Sequence, residues 1–140
     1  MDDALAELTH EWMTKAWHDL QTARITSGAP GGPLDTAIYH CRQAAEKTVK
    51  GWLTAQNVPF EKTHDIRRLI RQTVGVLPDF ARFTAAAGIL TPYASAFRYP
   101  GLTEESMPTQ DEFDEALRHA ETLYDFALGL LPANARPQSG

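Results

Sequence analysis

Apolar side chains fall at Leu5, Leu8, Trp12, Ala16, Leu20 and Ala23, in steps of three and four that draw one stripe along a helix. The spacing predicts a first helix from Asp2 to about Thr26. It ends at Ser27-Gly28-Ala29-Pro30-Gly31-Gly32-Pro33, where glycine and proline make continuation costly and the small side chains have nothing to bury. From Leu34 or Asp35 to about Gln56 no proline interrupts a run rich in Ala, Gln, Glu, Lys and Leu, which predicts a second helix whose only internal glycine is Gly51. Asn57-Val58-Pro59-Phe60 stops it. Thr63 is placed to cap a third helix, over about His64 to Val74, with Ile66, Leu69 and Ile70 on its buried side. Pro78-Asp79 opens a fourth helix expected to reach about Phe97, kinked or split at Pro92. A loop from Leu102 to Pro108 leads to Thr109-Gln110-Asp111-Glu112, a capping box in which hydroxyl and carboxylate each satisfy a backbone amide. The fifth helix, to about Leu130, carries Phe113, Leu117, Ala120, Leu123 or Tyr124, and Ala127 as its stripe.

No segment alternates with period two between turn residues, so no strand is expected. The fold class is all-α, an up-down bundle of about five helices, with short connections favouring antiparallel neighbours. A chain of 140 residues has room for one packed domain. Residues 2–131 form that domain, and the small, polar stretch 132–140 is expected to be a disordered tail. A lone cysteine, Cys41, excludes an intrachain disulfide and a Cys-rich zinc site, fits a reducing compartment, and reads as a small buried residue. No apolar run approaches a membrane span, and MDDALAELTHEW is acidic and amphipathic where a leader is basic, then apolar. A soluble, unprocessed, cytoplasmic protein without membrane contact is expected.

The net charge of -5 argues against coating nucleic acid with bulk positive charge. It conceals a division. Between Arg42 and Arg98 stand nine bases and four acids, a balance of +5, so the rest of the chain carries -10. Such runs serve as solvated helix faces, or here as a centre facing phosphate or an acidic partner.

The second helix contains His40-Cys41-Arg42-Gln43-Ala44-Ala45-Glu46-Lys47-Thr48-Val49-Lys50, and Thr63-His64-Asp65-Ile66 follows after a loop. These segments resemble the HEPN family, small helical nucleotide-binding domains, with their H-x-Q-Q-A-A-E-K-x-x-K run and T-H-D-L motif. Arg42 stands where Gln is more usual, and Ile66 replaces Leu. Ala16-Trp17-His18-Asp19-Leu20-Gln21-Thr22-Ala23 resembles the family's first helix, and Tyr93 with Arg98-Tyr99-Pro100 its Y…R-Y-P ending of the fourth. The likeness spans about Trp12 to Leu131. It implies a helical domain that homodimerises and binds a nucleotide or RNA, in members often encoded beside a nucleotidyltransferase in a toxin–antitoxin-like pair. Ribonucleases of the superfamily use an Arg followed after four to six residues by His. None of His10, His18, His40, His64 and His119 has that Arg before it, so the usual acid/base and phosphate-stabilising pair is missing. Whether the chain is an enzyme stays open.

On a helix His40, Gln43, Lys47 and Lys50 share a face, as a solvated line with Glu46-Lys50 pairing or as ligands for a phosphate or base edge. Asp65 either caps the third helix or joins His64 and the second helix in a pocket. Arg98 either binds the last carbonyls of a helix or serves as phosphate-binding cation, with Tyr93 or Tyr99 as a stacking platform. Trp12 lies on the first stripe. Trp17 lies off it and is the better candidate for a dimer contact. No metal spacing and no phosphate-cradling glycine loop emerges, and no cofactor is implied. The leading reading is a HEPN domain with ligand-binding residues Gln43, Lys47, Lys50, His64, Asp65, Tyr93, Arg98 and Tyr99. The alternatives are a metal-independent endoribonuclease, with candidates His64, Arg98 and His40, and a purely structural interaction subunit.

Overall fold

A computed structural model describes residues 1–101 and 107–137. Among the described residues five α-helices make an all-α, up-down bundle: α1 (Asp3–Gly28), α2 (Leu34–Ala55), α3 (Ile66–Val76), α4 (Thr84–Leu90) and α5 (Gln110–Gly129). Among the described residues there is no strand, and no helix is long and apolar enough to cross a membrane. Most of the expected loop Leu102–Pro108 lies outside the described residues, as do residues 138–140.

The hairpin of α1 and α2 is the spine of the bundle, and α2 is its centre, touching α1, α3, α4 and α5. Small residues let α2 be buried on nearly every side: Ala37, Cys41, Ala44, Ala45 and Gly51 allow neighbouring helices close approach. At Gly51 the approach is extreme, for a Cβ placed there would lie 2.9 Å from the Cβ of Trp12 and 3.1 Å from the sulfur of Met13. A Schellman turn ends α2. Asn57 takes a left-handed φ of 56° and the Val58 amide donates to the Leu53 carbonyl at 3.0 Å.

The buried side of α1 follows the expected stripe at Ala16, Leu20 and Ala23 and departs from it in the N-terminal half. Ala6, Thr9, Met13, Ala16, Leu20 and Ala23 face the core, whereas Leu8 is 45% exposed and Trp12 half-buried. Helix three starts later than expected, at Ile66, because the capping residue is Asp65 and not Thr63. The Asp65 carboxylate accepts from the Arg67 amide at 3.0 Å, and the Thr63 hydroxyl accepts from the Asp65 amide at 3.0 Å. The expected fourth helix to Phe97 is much shorter. Its ends are 3-10 turns, Pro78–Phe83 and Thr91–Ala94, each with proline at its start, where no backbone N–H is required. The capping box of α5 forms as expected, with Thr109 Oγ1 accepting from the Glu112 amide at 3.1 Å and Glu112 Oε1 from the Thr109 amide at 2.9 Å.

An aromatic cluster ties α2 and α5 to the turn before α4. Trp52 packs on Phe80 at 4.5 Å between centroids, and Phe126 sits 5.0 Å from Phe80 and 5.1 Å from Phe83. Beyond α5, the stretch expected to be disordered is held as far as its described part goes. Ala133–Ala135 makes a 3-10 turn, Ala135 is buried, and Arg136 Nε donates to the Leu131 carbonyl at 2.8 Å.

Candidate functional site

The polar face of α2 is not a solvated line. Its charges are drawn inward into two clusters, each organised by one buried carboxylate. Glu46 collects Arg42, Lys50 at 2.8 Å and His64 Nδ1 at 3.2 Å. Arg42 is only 2% exposed, and it also donates to the His64 carbonyl and to Gln43 Oε1. Lys50 is buried too, with its ammonium 5.4 Å from the Phe60 ring and 6.0 Å from that of Trp12. Burial works against the Glu46 carboxylate. The Lys50 hydrogen bond and the charges of Arg42 and Lys50, with a smaller share from His64, outweigh it and hold the carboxyl below its ordinary value.

The second cluster spans the hairpin. Asp19 of α1 is buried, and its two oxygens meet His40 Nδ1 at 2.8 Å and Lys47 Nζ at 2.7 Å. Steps of seven along α2 put His40 and Lys47 on one line, two turns apart, and the antiparallel hairpin sets Asp19 between them.

A pocket of about 270 Å³ opens beside this cluster, lined by Asp35, Thr36, Tyr39, His40 and Arg98. Arg98 reaches it from the turn after α4, where Phe97 takes a left-handed φ of 67°. Its guanidinium lies 4.0 Å from the centroid of Tyr39 and 5.5 Å from that of Tyr99. Gln43 Nε2 donates to the Tyr39 hydroxyl at 2.9 Å.

The residues singled out in the sequence thus separate into groups. His40 and Arg98 share the pocket wall, with Lys47 behind it through Asp19 and Gln43 behind it through Tyr39. Tyr99 is 55% exposed beside Arg98. Lys50 belongs to the buried Glu46 cluster. The His64 side chain is 81% exposed and anchored to that same cluster, outside the pocket. Asp65 caps α3 and pairs with Arg67 at 3.1 Å. Tyr93 stacks on Phe97 with centroids 6.1 Å apart, and burial, then the charges of Glu112 and Glu115, pushes its hydroxyl up. Asp19 and Tyr39 complete the arrangement without having been singled out. Asp19 was marked only by its place in the Ala16–Ala23 run, and Tyr39 by lying one turn before Gln43. Trp17 packs partly buried against the core and also borders a shallow surface pocket with His10, Thr14, His18 and Pro137. Among the described residues no group of three or more His, Cys, Asp or Glu side chains is placed to hold a metal ion.

The HEPN domain model matches residues 9–130. This chain belongs to the HEPN family. Two solved structures share the HEPN fold seen here. The crystal structure of ST0689, an archaeal HEPN homologue, is 27% identical, with a TM-score of 0.69 over 86% of this chain and 95% of that one. That of TT1696 from Thermus thermophilus is 28% identical, with a TM-score of 0.75 over 88% of this chain and 98% of that one. No curated protein matches the chain.

Proposed function

We propose that this HEPN-domain protein is a homodimeric nucleotide- or RNA-binding component of a two-gene, toxin–antitoxin-like system whose partner is a nucleotidyltransferase. The observation that carries the binding reading is Arg98 laid over Tyr39 at the wall of the pocket that also holds His40 and Thr36. A planar guanidinium supplies both phosphate recognition and a stacking surface, and the aromatic faces of Tyr39 and Tyr99 beside it suit a base. The pocket's volume fits a phosphate with part of a sugar better than a whole dinucleotide.

Fluorescence titration with a panel of ribonucleotides and a short single-stranded RNA tests the reading. Arg98→Ala and Tyr39→Ala are each expected to weaken binding by about tenfold or more, in line with about 1 to 3 kcal/mol for a base-stacking contact. Unchanged affinity in both variants sinks the assignment.

A second reading is favoured by one observation, the Asp19-His40 pair opening on the same pocket as Arg98. That is the relation of an oriented imidazole to a phosphate-binding cation, and it suits a metal-independent endoribonuclease with His40 as general base. RNA cleavage in the presence of chelator, lost in His40→Ala and kept in His64→Ala, selects this reading over binding alone.

A further inference from the structure

Two side chains behind the pocket fix which of its polar atoms donate and which accept. Gln43 takes a hydrogen bond from Arg42 on its amide oxygen, which turns its amide nitrogen to the Tyr39 hydroxyl. A hydroxyl whose oxygen is already receiving a proton keeps its own proton to give. Asp19 can only accept. With one oxygen on Lys47 and the other on His40, it requires the imidazole to carry hydrogen at Nδ1, leaving Nε2 as the nitrogen available to the pocket. Arg98 can only donate.

The charged groups around His40 come from three parts of the chain. Asp19 faces it from α1, Lys47 shares that carboxylate from α2, Asp35 stands at the pocket rim on α2, and Arg98 enters from the turn after α4. Two acids and two bases cancel, so an arriving phosphate brings negative charge that these groups leave unmatched. As the dianion it also brings only acceptor oxygens, which the lone pair of a neutral imidazole at Nε2 repels. A proton on Nε2 cures both faults, turning an acceptor into a donor and adding the missing positive charge beside the Asp19 carboxylate.

Building on the nucleotide-binding reading, we propose that the Tyr39, His40 and Arg98 pocket holds the phosphate of a phosphate monoester and that binding takes up a proton at His40. Asp19 is the positioning residue. The proton comes from solvent, no covalent bond changes, and the imidazolium Nε2–H, the Tyr39 hydroxyl and the Arg98 guanidinium all donate to phosphate oxygens.

Calorimetric titration of the full chain with AMP, inorganic phosphate and adenosine, in buffers of different ionisation enthalpy, counts the protons exchanged. AMP is expected to bind with net proton uptake, up to about one proton per site, and with affinity that falls as pH rises wherever that uptake is seen. His40→Gln is expected to retain weakened AMP binding with no proton uptake and a flat pH profile. Asp19→Asn is expected to lose most of the uptake, its thermal unfolding showing that the hairpin still forms, while His40→Gln carries the test if it does not. Inorganic phosphate binding with the same uptake supports the phosphate assignment and places the nucleoside outside the pocket. AMP binding without proton uptake, or uptake unchanged in His40→Gln, overturns this proposal and leaves nucleotide binding standing. Adenosine binding as tightly as AMP overturns the phosphate assignment. No binding of AMP, phosphate or RNA overturns this proposal together with the reading beneath it.

Discussion

Glu46 has three cationic or basic neighbours and almost no water. Replacing its carboxylate by an amide leaves Arg42 and Lys50 buried without a counter-charge, a loss that costs about 3 to 5 kcal/mol in comparable buried pairs. Glu46→Gln is therefore expected to lower the urea midpoint of unfolding sharply. The effect carries a definite pH sign. Because the folded carboxyl sits below its ordinary value of 4.5, its stabilisation is complete above that value and is lost as pH falls through the lower folded value. Wild type and Glu46→Gln should differ most near neutrality and converge in acid, as equilibrium unfolding across that range will record. A gap that persists in acid would show that packing, and not charge, sets the cost.

Between elements, the α1–α2 contact is governed by the missing side chain at Gly51. Alanine there gains about 1 kcal/mol of helix propensity, but its methyl meets the Cβ of Trp12 at 2.9 Å, an atom fixed to the α1 backbone that cannot swing aside. Overpacking of this kind costs about 1 to 3 kcal/mol, so Gly51→Ala is expected to lower the melting temperature, which thermal unfolding by circular dichroism will measure. The periodicity of α2 and the capping box of α5 were legible in the sequence because both are local. The N-terminal half of the α1 face was not, since the large apolar Leu8 and Trp12 continued the stripe of Ala16, Leu20 and Ala23, while the close helix pair took Ala6, Thr9 and Met13 for the interface. Arg98 and His40 were both nameable as candidates. That they share a pocket depends on α4 stopping at Leu90, a tertiary outcome that proline content hinted at without fixing. Asp19 escaped notice for a similar reason, because an acid in an amphipathic helix is ordinary until the partner helix brings two bases to it.

Over the whole molecule, five of the nine bases in the centre of the chain are held in ion pairs and are not free to meet phosphate. The +5 balance already counts Glu46, Glu61 and Asp65, and Asp19 of α1 adds one more counter-charge. Arg42, Lys47 and Lys50 are engaged by Glu46 and Asp19, Arg67 by Asp65, and Arg68 lies 3.6 Å from Glu61. Attraction for nucleic acid should consequently be local and weakly salt-dependent. For single-stranded RNA each neutralised phosphate contributes about -0.7 to the slope of log affinity against log salt. A total slope shallower than about -2 is expected, which filter binding across a salt series will check. A steeper slope would mean that a broad basic surface, rather than the Arg98 pocket, does the binding.

Asp19 also makes three positions in the chain a single heritable character. A lineage that replaces His40 hands the whole carboxylate to Lys47, and one that replaces Lys47 leaves a buried acid with the imidazole alone. Losing Asp19 strands a cation beneath the pocket floor. Drift at any one of the three should therefore be tolerated only in company, and relatives of this chain are expected to keep the trio intact or to have exchanged it as a set.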